Sequence, residues 1–172
     1  MRRVRAGVIL FETARLFFRS HQAEDLNAFV AMQGDIEVRR YVGGRPWPAD
    51  EAVERFQRWI GKPVGNYGFW ATILKEEQQY VGYCGLAKHQ DGVHLGYYIS
   101  RPYWRRGLAS EAACAFVDFG LRKLHLQRII ADADERNRAS QRILERLRFA
   151  LVNRGEVANG RTICRYELLP YS

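Results

Sequence analysis

Between Gly68 and Leu124 the hydrophobic pattern changes period once, and that change limits the architectures open to the chain. Three β-forming segments come first, over 68–74, 80–87 and 93–99. The turn-like Lys75-Glu76-Glu77-Gln78 and Lys88-His89-Gln90-Asp91-Gly92 separate them, the pattern of an antiparallel meander. From there Leu108, Ala112, Ala113, Phe116, Val117, Leu121 and Leu124 fall at helical spacing instead. A buried strand over 128–133 follows, then an amphipathic helix over 138–147 with Ala139, Ile143 and Leu147 inward. Two last strands, near 149–156 and 162–169, flank the hairpin signal Asn159-Gly160. Upstream, 13–19 reads as a strand and 23–32 and 48–60 as helices, the second with Asp50 and Glu51 at the positive end of its dipole. The order specifies an α/β fold around a mixed, mostly antiparallel sheet of about seven strands with about four helices. Its strand–helix–strand unit over 93–133 is expected to form a right-handed parallel crossover.

The 172 residues make one domain, with 1–11 read as an N-terminal extension. Aromatic residues at 13% supply ample surface to bury, which excludes a disordered chain. No run of eighteen apolar residues occurs, so no membrane-spanning helix is expected. The basic start Met1-Arg2-Arg3-Val4-Arg5 precedes an apolar run that ends at Glu12, too short for a secretion signal, and a cytoplasmic location is expected. Cys84, Cys114 and Cys164 form no C-x-x-C pair and no zinc set with His21, His89, His94 and His125, so no metal is expected. The net charge of +8 asks for an anionic partner: nucleic acid, an acidic membrane surface or a phosphorylated cofactor. Residues 101–148 carry 11 basic and six acidic side chains, most of that excess. Its concentration there favours a polyphosphate cofactor.

Within that segment, Ile99-Ser100-Arg101-Pro102-Tyr103-Trp104-Arg105-Arg106-Gly107-Leu108-Ala109-Ser110-Glu111-Ala112 runs from a strand end into a helix start. The first helical amides lack intrahelical acceptors and sit at the positive end of the dipole, so the turn suits a phosphate or pyrophosphate. The segment contains neither G-x-x-x-x-G-K-[ST] nor G-x-G-x-x-G. Taken alone it reads equally as a capped helix with solvated arginines.

Several further motifs occur in order with it: Glu12-Thr13-Ala14-Arg15-Leu16, Arg40-Tyr41, Leu95-Gly96-Tyr97, Asn137-Arg138-Ala139-Ser140 and Leu144-Glu145-Arg146-Leu147-Arg148-Phe149. Over roughly residues 12 to 169 the chain resembles the GNAT superfamily of acetyl-CoA-dependent N-acetyltransferases, in the subgroup typified by the RimJ/RimL ribosomal-protein N-terminal acetyltransferases. The resemblance implies that the amides of Arg105, Arg106, Gly107, Leu108, Ala109 and Ser110 cradle the acetyl-CoA pyrophosphate. It implies a splayed parallel strand pair that admits the pantetheine arm, with backbone N–H groups near Tyr98, Ile99 and Ser100 polarising the thioester carbonyl. Asn137 would bond the pantetheine, and Ser140 would protonate the leaving thiolate. Arg138, Arg142 and Arg146 form an i, i+4 stripe that reads as a solvated helix face or, for Arg138 or Arg142, as a reach to the CoA phosphates. A homodimer is implied by the resemblance alone. Three departures stand out: Arg105 and Arg148 where the family often has glycine, and His94 where many members have glutamate.

Acetyl transfer needs a neutral amine. A lysine amine of pKa ~10.4 is about 0.04% neutral at pH 7, an α-amine of ~7.7–8.0 about 10–15%. His94 or Glu156 would serve as base, directly or through water. The acceptor, a peptide N-terminus or a small-molecule amine, would meet Tyr41 and Trp47 of a Gly/Pro loop against Trp70, Tyr83 and Tyr97. Two other classes remain open: an acyl-CoA sensor with weak catalysis, and a basic RNA- or ribosome-binding module. The latter lacks a basic stripe with interleaved aromatics, so direct nucleic-acid binding is not expected.

Overall fold

A computed structural model describes residues 8–60, 65–157 and 160–170. Met1 to Arg5 and Asn159 lie outside the described residues. The elements are β1 (Ile9–Glu12), β2 (Leu16–Arg19), α1 (Leu26–Gly34), α2 (Ile36–Arg39), α3 (Ala49–Gln57), β3 (Gly68–Leu74), β4 (Gln79–His89) and β5 (Gly92–Ile99). Then follow α4 (Leu108–Arg122), β6 (Ile129–Asp134), α5 (Arg138–Arg146), β7 (Ala150–Val157) and β8 (Arg161–Leu168). All eight described strands join one sheet in the order β1-β2-β3-β4-β5-β6-β8-β7, antiparallel except for β5 beside β6. The expected meander is β3-β4-β5, and β5-α4-β6 is the parallel crossover. The sheet gains one strand over expectation because Ile9–Glu12, inside the segment set apart as an extension, pairs with β2. The four-residue α2, capped by Asp35 accepting from the Glu37 amide, gave no helical period to detect and adds a fifth helix. Among the described residues no helix is long and apolar enough to cross a membrane.

Strand alternation sends side chains to two cores. Trp70 and Leu74 of β3 face α4 and α5, with Leu108, Ala112, Phe116 and Leu144. Ala71 and Ile73 face α1 and α3, with Phe29, Ala52 and Phe56. Each large apolar side chain fully buried contributes about 1.5–3 kcal/mol. The α5 face differs from expectation: Ala139 is exposed, while Gln141 and Leu144 are the buried pair. Gln141 turns inward because its carboxamide donates to the Asp134 and Glu135 carbonyls at 3.2 and 2.6 Å, tying α5 to the end of β6.

α5 ends in a Schellman turn. The Arg148 amide donates to Glu145 and the Phe149 amide to Leu144, at 2.9 and 3.0 Å. Phe149 and Leu144 share the core, the apolar contact that accompanies this motif. Arg148 sits at φ 65°, the left-handed region that favours glycine. Arg148→Gly is therefore expected to stabilise the fold by about 0.5–1 kcal/mol, raising Tm by ~1–4 °C in a thermal melt; an unchanged or lower Tm would contradict this account of the turn.

Candidate active site

At the end of β5, a 3-10 turn (Arg101–Tyr103) leads through Arg105 at φ 60° and Gly107 at φ 76° into α4. The first amide bonded within α4 is that of Glu111, donating to the Gly107 carbonyl at 3.1 Å. The Leu108, Ala109 and Ser110 amides thus form an outward-facing set at the positive helix end. A distant pair of residues pins this turn. The Arg15 guanidinium donates to the Arg106 carbonyl at 2.8 Å and to Glu111 Oε2 at 2.6 Å. The Thr13 hydroxyl and Arg15 amide donate to Glu111 Oε1 at 2.6 and 3.0 Å. Burial would raise the Glu111 pKa, but these hydrogen bonds and the Arg15 charge outweigh it, so the pKa is lowered. In the sequence Thr13, Arg15 and Glu111 stand out only as parts of shared motifs. Their joint role depends on a contact across 96 residues that no local pattern encodes. Arg106 pairs with Glu77 at 3.2 Å and lies over the Tyr103 ring, whereas Arg105 and, on α5, Arg142 are exposed.

β5 and β6 pair at one register position, His94 opposite Ile130, and then part. The Ser100 amide is taken by the Val81 carbonyl at 2.8 Å. Antiparallel alternation turns the Tyr98 amide toward β4 as well, so Tyr97 and Ile99 present their backbone to the gap. Only Ile99 of the expected Tyr98, Ile99 and Ser100 trio faces it. The opening is shaped from both sides. On β4 a bulge leaves Val81 unpaired with β3. At the adjacent Gly82 an added Cβ would stand 1.9 Å from the Tyr98 carbonyl oxygen. Beyond the gap, the Trp104 indole N–H donates to the Ile99 carbonyl at 2.6 Å. The Asn137 carboxamide oxygen caps α5 by accepting from the Ser140 amide at 3.1 Å. Ser140 Oγ lies 2.8 Å from the Tyr97 hydroxyl, whose pKa is raised by burial, so that hydroxyl stays protonated at neutral pH.

On the opposite face a cavity of about 480 Å³ is lined by Arg39, Trp47, Trp59, Phe69, Tyr83 and Tyr98 together with Val42, Gly43, Arg45, Glu51 and Arg55. Of the residues expected to meet the acceptor, Trp47 and Tyr83 line this cavity. Trp70 and Tyr97 do not: the two-residue alternation of a strand points them to the α4–α5 side, and their neighbours Phe69 and Tyr98 line the cavity instead. Tyr41 is not among the lining residues; its carbonyl accepts from Arg161. Arg161 also bonds Asp134 at 2.9 Å. The hydrogen bonds from Arg136 and Arg161 hold the Asp134 carboxyl well below the usual carboxylate range.

Neither base expected from sequence is among the residues that line this cavity. His94 is held by Asp91 at 2.9 Å and lies 3.5 Å from Asp132. The Phe69 ring lies so close over Gly96 that a Cβ there would meet it at 2.7 Å, and Gly96 separates His94 from the Tyr98 side chain. Glu156 is exposed on edge strand β7, three strands from β5. Among the described residues no cluster of His, Cys, Asp and Glu could hold a metal.

Residues 15–150 match the family model described as an acetyltransferase (GNAT) domain. The chain belongs to that family. It is 30% identical over 162 residues to the N-acetyltransferase p20 of Bacillus licheniformis, covering 90% of this chain and 91% of the relative. A GNAT acetyltransferase from Bacillus anthracis superimposes with a TM-score of 0.82 at 22% identity, over 92% of this chain and 96% of that one. RimL, a ribosomal L7/L12 α-N-protein acetyltransferase solved with coenzyme A, superimposes with a TM-score of 0.75 at 15% identity, over 94% and 97%.

Two measurements probe the site's framework. Glu111→Ala frees the Arg15 clamp and is expected to cost about 2 kcal/mol of stability and to weaken CoA binding roughly tenfold, read by calorimetry; unchanged affinity would show that the clamp does not shape the turn. His21 packs on Phe56 and Trp59 behind the cavity, and burial lowers its pKa from 6.5 to about 4, against the pull of Asp25. The unfolded chain then binds the extra proton first, so stability contributed above pH 6.5 is lost as pH falls toward 4. The loss is about 3 kcal/mol, and denaturant midpoints for His21→Phe should lack that slope.

Proposed function

We propose that the protein is an acetyl-CoA-dependent N-acetyltransferase that moves the acetyl group directly to a primary amine. The observation that carries this reading is the parting of β5 from β6 after one pairing, beside a left-handed turn that opens the amides of α4. The gap fits an extended pantetheine arm, and the turn fits a pyrophosphate. Acetyl-CoA supplies an activated thioester. The chain's own groups then act in place. The Tyr97 and Ile99 backbone bonds the arm and polarises the thioester carbonyl, while the amides of Leu108, Ala109 and Ser110 bind phosphate oxygens. Ser140, backed by the protonated Tyr97 hydroxyl, donates a proton to the leaving sulfur. Arg105 and Arg142, both exposed, supply counter-charge for the phosphates.

The cavity on the Tyr98 side receives the acceptor, an α-amine or another weakly basic amine that needs little help in losing its proton. With His94 and Glu156 outside that cavity, proton loss to water suits such an acceptor. The likeness to RimL in fold, together with the shared motifs, supports the RimJ/RimL subgroup. Three free cysteines accord with a reducing cytoplasm.

Thermal stability with acetyl-CoA, CoA and RNA, followed by thiol release against an amine panel, tests the reading. Stabilisation by CoA and sequential kinetics are expected. Stabilisation by RNA alone would overturn the enzyme, a ping-pong pattern would overturn direct transfer, and CoA binding without turnover would mark a sensor. Ser140→Ala is expected to lower kcat about tenfold with little change in the KM for acetyl-CoA; an unchanged kcat would remove Ser140 from the proton path.

A further inference from the structure

If the cavity is the acceptor site, its charges narrow what it accepts. Its charged lining is Arg39, Arg45, Arg55 and Glu51. Glu51 is engaged twice, by Arg45 at 2.9 Å and by Arg55 at 3.1 Å. Arg39 differs from both. It is only 6% exposed, at the end of α2, and among the described residues it has no carboxylate partner. Its Nε donates to the Arg45 carbonyl at 3.3 Å and its Nη1 to Gln33 Oε1 at 3.4 Å, both long contacts to neutral acceptors.

The loop is built to keep this guanidinium where it is. Its carbon lies 4.3 Å from the Trp47 ring centroid, and the Arg55 guanidinium carbon lies 4.4 Å from the same ring. At Gly43, with φ +77°, an added Cβ would stand 2.7 Å from Arg39 Nη2, so the backbone wraps closely around it. Gln33 links the arginine onward, donating to the Tyr83 hydroxyl at 3.1 Å, which leaves the tyrosine proton free to serve a ligand in the cavity.

A buried cation without a counter-ion is costly, and a planar guanidinium is matched by a carboxylate that accepts two parallel N–H bonds. We propose that the acceptor is a small amine carrying a carboxylate, seated on Arg39 with Arg55 beside it, its amine directed past Tyr98 toward the β5–β6 gap. This rests on the acetyltransferase reading and names its substrate class. The nitrogen bonds the acetyl carbon, the carbon–sulfur bond breaks, and the proton shed by the amine balances the one taken up by the thiolate. A volume of about 480 Å³ has room for such a small molecule. A polyamine would bring further positive charge against walls that are already cationic.

The test pairs L-glutamate, L-serine and β-alanine with their carboxamides, alongside spermidine and a peptide with a free N-terminus. Thiol release gives turnover, and calorimetry on the CoA-loaded protein gives affinity. The acids are expected to bind at least tenfold tighter than the amides. Arg39→Gln should raise KM for an acid at least tenfold, with kcat altered less than about threefold and the amides little affected. Arg39→Lys should recover part of the loss. Arg55→Gln, at an exposed position that does not threaten folding, should raise the same KM about threefold. Equal binding of acid and amide, no binding by any acid, or preference for spermidine or the peptide would overturn the inference while leaving CoA binding intact. Failure to bind CoA at all would instead overturn the acetyltransferase reading.

Discussion

A parallel strand pair that stops pairing after one register position leaves backbone groups for something else to satisfy, and the rest of this fold is arranged around that opening. An unmet buried amide costs about 1–3 kcal/mol. The β5–β6 gap is therefore a site whose demand for hydrogen bonds is built into the sheet. Its width is set by neighbours rather than by the two strands themselves. The bulge at Val81 and the bare Cα of Gly82 bring β4 close behind Tyr98. Trp104 fixes the Ile99 carbonyl, and the Tyr97–Ser140 contact braces β5 against α5.

Two anchors join the gap to its surroundings. At one end Arg15 and Glu111 lock the first turn of α4 to the β1–β2 turn. At the other end Asp134, on the last residue of β6, holds Arg161, which in turn holds the Tyr41 carbonyl of the loop over the cavity. The strand that borders the opening thus also positions one wall of the opposite pocket. The exposed ion pairs elsewhere, such as Arg58 with Glu54, contribute little by comparison.

Much of this is legible in the sequence, and what is not has two causes. The change of period at Leu108, the crossover and the turn before α4 follow from local pattern, and they lie where expected. Alternation says that neighbours face opposite ways without saying which way is the cavity, so the sequence does not choose Phe69 and Tyr98 over Trp70 and Tyr97. The Arg15 clamp and the Arg39 environment were invisible for a different reason: each depends on partners brought together only by folding. His94 occupies a position rich in implication, yet Asp91 and the Phe69 ring over Gly96 set its surroundings, and neither effect can be read from the motif. Arg105 and Arg148 are the reverse case. Both were noted as replacements for glycine, and both take the left-handed backbone that glycine serves.

The alternation along β5 has a consequence for how such a protein can diversify. Odd positions, Tyr97 and Ile99, turn their backbone to the β5–β6 gap, while the even position Tyr98 lines the pocket on the other face. Changes at the even position can therefore reshape the pocket without rebuilding the gap one residue away. One short strand thus serves two separate spaces with alternate residues.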